Sequence, residues 1–160
     1  MNKINVLFVC LGNICRSPMA EGIFKKVVEK EGLQEHFYID SAGTSRYHIG
    51  EEPDSRAIKT CMHKDIILNH QGQEFITRHL SDQNYILAMD GKNLGNIKSM
   101  FPLGKVNAKV FKMRDFDIDF KGQDVPDPYY GGMEGFYEVF DMLERSSYEL
   151  LRYIRTEHSI

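Results

Sequence analysis

The sequence contains no run of lysine or arginine long enough to form an electrostatic footprint for nucleic acid or a membrane surface. Its formal charge is −3, from 23 acidic and 20 basic residues, so any anion site must be built from local groups. No apolar stretch approaches the roughly 20 residues that span a bilayer. The apolar run from Ile4 to Leu11 lacks the charged start and small-residue cleavage site of a signal peptide, so a cytoplasmic protein without membrane contact is expected. Cysteine is scarce: there are three, an odd number, with Cys10 and Cys15 five positions apart. That excludes a secreted disulfide framework and favours reduced, reactive thiols. Neither G-x-x-x-x-G-K-S/T nor G-x-G-x-x-G follows the first apolar run, which removes the ATP and NAD readings.

What is present is ordinary globular usage, 42% hydrophobic and 27% charged, in a length suited to one domain over residues 1–160. Ile4 to Cys10 reads as a strand covered on both faces. Pro18 suits the first helical position with Ser17 as N-cap, and Met19, Ile23, Phe24, Val27 and Val28 keep helical spacing up to Gly32. His36 to Asp40 reads as a second strand, with Ser41-Ala42-Gly43 as its loop. Pro53-Asp54-Ser55-Arg56 opens a short helix running to about His63. Asn84 to Met89 is a third strand, Lys92 to Met100 a helix, and Ala108 to Met113 a fourth strand. Phe136, Phe140, Leu143, Ser147, Leu151 and Ile154 line one face of a long last helix. The segment Asp115 to Asp127 reads as one long functional loop. The alternation predicts an α/β fold: a four-stranded parallel twisted sheet with helices on both faces and ligands at the carboxyl ends of the strands, where Cys10 lies.

Cys10-Leu11-Gly12-Asn13-Ile14-Cys15-Arg16-Ser17 is a C-x5-R-S loop between a strand and a helix. Backbone N–H groups of such a loop point inward, and the helix start adds about half a positive charge, so a dianionic phosphate is favoured there. Gly12 and Asn13 are expected to take the left-handed backbone of the curl. Arg16 offers a planar fork for two phosphate oxygens. The same field should lower the Cys10 thiol from about 8.5 towards roughly 3.5–7.5, giving a thiolate nucleophile with Ser17 as its donor.

A leaving phenolate or alkoxide needs a proton, and Asp127 is the candidate acid, held in Asp124-Val125-Pro126-Asp127-Pro128-Tyr129-Tyr130 by two prolines. Tyr47, Tyr129 and Tyr130 could wall a slot for a flat phenol ring. Cys10 and Cys15 also suggest a redox-sensitive pair able to form a disulfide. The six histidines show no paired ligand spacing, and Cys61-Met62-His63 reads as local packing, so no metal site is expected.

Val9 to Pro18, Asp40-Ser41-Ala42-Gly43, Ala88-Met89-Asp90 and Asp127-Pro128-Tyr129-Tyr130-Gly131 together resemble the low-molecular-weight protein tyrosine phosphatases, in the family's order and over essentially the whole chain. The resemblance implies Cys10 as nucleophile through a phosphocysteine, Arg16 as phosphate clamp, and Ser17 as thiolate stabiliser. It further implies Asp127 as acid and then base, Asn13 and Ser41 as loop braces, His70 as a brace on Asn13, and Asp90 as an anchor. It implies phosphotyrosine proteins or peptides as substrates, inorganic phosphate as product and no cofactor. Within the same fold, Ile14 is the residue type of tyrosine phosphatases, whereas similar protein-arginine phosphatases carry Thr. Arsenate reductases need a downstream cysteine pair, and beyond Cys15 this chain has only Cys61. Tyr47, His48 and 115–123 lie where the family varies, which leaves substrate preference open. A phosphotyrosine-binding module without catalysis and a thiol redox sensor are the readings from other classes.

Overall fold

The computed structural model describes residues 2–160. Four strands, β1 (Ile4–Cys10), β2 (Phe37–Gly43), β3 (Tyr85–Ala88) and β4 (Lys109–Lys112), form one parallel sheet in the order β2-β1-β3-β4. Because β1 is central, both of its faces must be apolar. Val6, Phe8 and Cys10 face one core, and Leu7 and Val9 face the other.

Each face is covered by helices. On the first face α1 (Arg16–Lys30), α2 (Ser55–Met62) and α5 (Met133–His158) supply Phe24, Cys61, Phe136, Phe140 and Leu143. Phe24 stands edge-on to both Phe8 and Phe37, with ring centroids 5.6 and 5.8 Å apart. On the second face α3 (Thr77–Asp82) and α4 (Gly91–Ser99) supply Leu80 and Ile97. The predicted apolar stripe of α5 is buried along its length.

The departures from expectation have local causes. β2 continues through Ser41 to Gly43 because Cys10 pairs with Gly43 at the end of the ladder, so the anticipated loop is strand. The helix after Cys10 begins at Arg16, with Cys15 at its cap and no side-chain capping bond; Ser17 lies inside it, its hydroxyl committed to the loop. At α2 the expected Asp54 start is present, the carboxylate accepting from Arg56 N at 2.8 Å. The short α3 escaped sequence reading, since six residues carry almost no periodicity. Part of 115–127 is ordered as well: a 3₁₀ turn spans Met113–Phe116, and Asp117 and Val125 are fully buried.

The register carries the strand ends to one place. Phe8 lies opposite Ser41, and Val9 lies between Ala42 and Ala88. Cys10, Ser41 and Asp90, the last capping α4, are therefore neighbours at the carboxyl edge of the sheet.

Candidate active site

The loop from Cys10 to Arg16 is folded around its own sulfur. Asn13 N–H donates to Cys10 Sγ at 3.3 Å, and the Ser17 hydroxyl lies 3.0 Å from it. Asn13 has φ 57°, the left-handed conformation that asparagine tolerates. Its side chain secures the curl: Nδ2 donates to Ser17 Oγ at 2.8 Å and to Ser41 Oγ at 3.1 Å, while Oδ1 accepts from Gln73 N and lies 2.7 Å from His70 Nε2.

Gly12 does not adopt a left-handed backbone, contrary to expectation; only Gly32, Gly50 and Gly122 do among the described glycines. Its contact is with a side chain instead: a Cβ there would lie 3.0 Å from His48 Cδ2, a tight approach that the ring of His48 would have to yield to. Gly43 is a second close approach, since a Cβ would lie 2.8 Å from the Leu11 carbonyl oxygen.

Beneath the loop lies a buried polar cluster. Glu21 on α1 accepts from Ser41 Oγ at 2.7 Å and Lys25 Nζ at 2.8 Å, and lies 3.2 Å from His70 Nδ1. Burial alone would raise the Glu21 pKa, but the bonds from His70 and Lys25 outweigh it and hold the carboxyl below its ordinary value. Both His70 nitrogens face acceptors, and Gln73 ties Asp40 to Ser41 through its amide. Glu21, Asp40 and His70 bring three donor atoms within 4.8 Å of one another, yet each is already bonded to protein, which makes the cluster a brace for the loop.

Arg16 is 3% exposed, its Nη1 donating to Asp90 Oδ2 at 2.7 Å and to the Val125 carbonyl at 3.0 Å. Its Nε–Nη2 edge makes no hydrogen bond among the described residues, and Asp127 Oδ2 lies 3.8 Å from Nη2. Burial works against the charge, but the Cys10 sulfur, Asp90 and Asp127 outweigh it and raise the guanidinium pKa. Desolvation pushes the Cys15 thiol strongly up, and the fully buried Cys61 thiol is pushed up to about 12 by the same cause.

Cys10, Leu11, Gly12, Ile14, Cys15 and Arg16 form the floor and one wall of a pocket of about 220 Å³; Asp127, Tyr129 and Tyr130 form the facing wall, and Tyr47 and His48 the rim. Asp127 Oδ1 accepts from Tyr129 N at 3.1 Å, and the Tyr129 and Tyr130 rings meet edge-on at 5.0 Å. Sequence reasoning missed the residue that holds this wall. Arg56 donates to the carbonyls of Gly131 and Tyr129 at 2.8 and 2.9 Å, is paired to Asp54, and lies over the Phe136 ring at 4.6 Å. Its only sequence signal was its place at the start of a helix. Glu21 and Gln73 were missed as well, because the bonds that tie them to the loop and to β2 reach 20 or more positions along the chain.

The arrangement has relatives throughout. The model of the low molecular weight phosphotyrosine protein phosphatases matches residues 5–159. This chain belongs to that family. A Saccharomyces cerevisiae low molecular weight phosphotyrosine protein phosphatase is 42% identical over 153 residues, covering 94% of each chain. The crystal structure of the Entamoeba histolytica protein tyrosine phosphatase, with Hepes in its active site, superposes with TM-score 0.88 at 38% identity, covering 98% of this chain and 99% of that one. A Drosophila arginine phosphatase gives TM-score 0.88 at 34% identity, covering 94% and 97%. Proteins described as a tyrosine phosphatase and as an arginine phosphatase thus share this fold.

Proposed function

We propose that this phosphatase hydrolyses phosphotyrosine in proteins or peptides in two steps through a phosphocysteine on Cys10. One observation carries the reading: Cys10, Arg16 and Asp127 line the same small pocket, with Arg16 Nη2 3.8 Å from Asp127 Oδ2, and Cys10 and Arg16 are held by hydrogen bonds to Ser17 and Asp90. In the first step the Cys10 thiolate attacks phosphorus. The S–P bond forms as the P–O bond to the ring breaks, and Asp127 delivers its proton to the departing phenolate oxygen. The loop N–H groups and the Nε–Nη2 edge of Arg16 hold the equatorial oxygens. In the second step Asp127, now a carboxylate, takes a proton from water as it attacks phosphorus. The S–P bond breaks, the Ser17 hydroxyl supports the returning thiolate, and inorganic phosphate leaves.

Tyr47, Tyr129 and Tyr130 suit a flat phenol ring, and Ile14, buried on the pocket floor, offers an apolar contact in place of a hydroxyl near the leaving atom. That favours phosphotyrosine over phosphoarginine as substrate. An arsenate reductase relay has no second cysteine pair to use, and a mere binder would need neither Cys10 nor Asp127. Oxidative control through a Cys10–Cys15 disulfide is part of the same reading; the raised pKa of Cys15 makes it a slow partner until the loop opens. No helix among the described residues is long and apolar enough to cross a membrane, and we read the protein as acting in the cytoplasm.

The test uses leaving groups of different basicity. Asp127→Asn is expected to slow phosphotyrosine cleavage by about 10²–10⁴ and to affect nitrophenyl phosphate less, with the high-pH limb of the pH–rate profile weakened. Equal losses across the series with that limb intact would give the acid role to another residue, Asp124 being the next to test.

A further inference from the structure

Asp124 is a second carboxylate on the segment that carries Asp127, and the two-step chemistry leaves it unused. Its Oδ1 accepts from Gly91 N at 3.0 Å and lies 2.8 Å from Lys112 Nζ, and its main-chain carbonyl accepts from Arg114 Nη1 at 2.9 Å. Lys112 also donates to the Gly122 carbonyl at 2.7 Å, and Arg114 is paired to the buried Asp117. The bond from Lys112, supported by that from Gly91, outweighs burial and holds the Asp124 carboxyl below its ordinary 3.8, so it is an acceptor at neutral pH.

These bonds close a ring around Arg16. Arg16 Nη1 donates to Asp90 Oδ2 at 2.7 Å and to the Val125 carbonyl at 3.0 Å. Asp90 is joined by its peptide bond to Gly91, and Val125 by its peptide bond to Asp124, so the hydrogen bond from Gly91 to Asp124 completes the circuit. Both protons of Nη1 are used inside the ring, which leaves the Nε–Nη2 edge of the fork for phosphate oxygens. The ring is tied to the sheet and to α4: Val125 N donates to the Met89 carbonyl at 2.8 Å, and Asp90 Oδ1 accepts from Asn93 N at 2.8 Å. The Asp124 side chain is 55% exposed. Water can therefore satisfy Gly91 N–H in its absence, and the chain should fold without it, but water does not tie the two segments together.

We propose that Asp124 is a positioning residue for phosphoryl transfer: by closing this ring it fixes the plane of the Arg16 guanidinium, and with it the direction in which Nε and Nη2 meet the transferring group. This rests on the role given to Arg16 above and deepens it. Such aim matters most in the transition state, where charge spreads over the equatorial oxygens that the fork holds.

The experiment compares Asp124→Ala and Asp124→Asn with wild type, alone and combined with Arg16→Lys, on phenyl phosphate and nitrophenyl phosphate across pH, with vanadate and inorganic phosphate as inhibitors. Asp124→Ala is expected to lower kcat about tenfold on both substrates alike, with the high-pH limb kept. Inhibition by vanadate, a five-coordinate mimic, should weaken by a similar factor, and inhibition by inorganic phosphate less. Asp124→Asn keeps an oxygen for Gly91 N–H and should recover most of the loss. In Arg16→Lys there is no fork to aim, and adding Asp124→Ala should cost less than about twofold. An equally large loss in that background makes Asp124 merely structural and overturns the assignment. So do Asp124→Ala kinetics within about twofold of wild type, or an Asn variant no better than the Ala one. A loss confined to phenyl phosphate, or a high-pH limb missing in Asp124→Asn, gives Asp124 the acid role and also overturns it. Absence of nitrophenyl phosphate turnover by wild type would defeat the phosphatase reading itself, whereas robust turnover with additive losses defeats only the role of Asp124.

Discussion

At the residue scale, the site is a set of single atoms placed by bonds that reach across the chain. Asn13 shows how much one side chain can do: it takes the left-handed turn, and it bonds to Ser17, Ser41, His70 and Gln73 at once. Its left-handed turn was legible because asparagine at a curl is a recognisable choice, whereas its role as a brace came only from the family resemblance. The backbone of Gly12 was misread as left-handed, and its close contact is with His48, 36 positions away, which leaves no trace in the local pattern. Ile14 carries the choice of leaving group in this account. Ile14→Thr puts a hydroxyl on the pocket floor beside the reacting atom, and it is expected to raise phosphoarginine hydrolysis relative to phosphotyrosine by about tenfold. Paired kcat/KM measurements on the two substrates check this, and an unchanged ratio would move the choice to another position.

At the scale of elements, the proposed acid and the proposed nucleophile arrive on different pieces of structure. Cys10 ends β1, whereas Asp127 lies on the segment between β4 and α5, where Arg16 and Arg56 hold the residues on either side of it. Arg16 ties Val125 to the phosphate loop, and Arg56 on α2 clamps the carbonyls of Tyr129 and Gly131. Removing the second clamp should let the acid drift while the phosphate cradle stays intact. Arg56→Ala is therefore expected to lower kcat about tenfold on phosphotyrosine, with less effect on nitrophenyl phosphate and little on the inhibition constant of inorganic phosphate. A uniform loss with weakened phosphate inhibition would mean that Arg56 supports the cradle instead. The strands and long helices were readable because their periodicity is local. The ends of β2 and α1 were not, because pairing with Cys10 and the demands of the loop set them.

At the scale of the molecule, a parallel sheet of four strands converts distant sequence into one edge, and buried charge fixes the segments that cross it. Asp117 is fully buried and accepts from Arg114 and Arg145, joining the turn after β4 to α5. The bonds from Arg145 and then Arg114 overcome its burial and hold its carboxyl well below the ordinary 3.8. A carboxyl depressed in the folded state stabilises it fully above the unfolded pKa, and that stabilisation is lost as pH falls through the folded value. Glu21 acts in the same direction below its ordinary 4.5. Acid unfolding should therefore begin below about pH 4 and steepen downward. Asp117→Asn should cost about 3 kcal/mol at neutral pH, the low end for a broken buried pair because Arg145 keeps access to water, and should flatten that acid limb. Denaturant titrations across pH would show it; a variant as stable as wild type with the same acid slope would contradict it. The central claim, a phosphocysteine on Cys10, is tested most directly by acid-quenching wild-type enzyme milliseconds after mixing with nitrophenyl phosphate and mapping the phosphate by mass spectrometry. The account predicts phosphate on the sulfur of Cys10, formed as fast as the first nitrophenolate is released and absent in Cys10→Ser. Rapid turnover with no phosphorylated Cys10 at any time, or with the label on another residue, would contradict it.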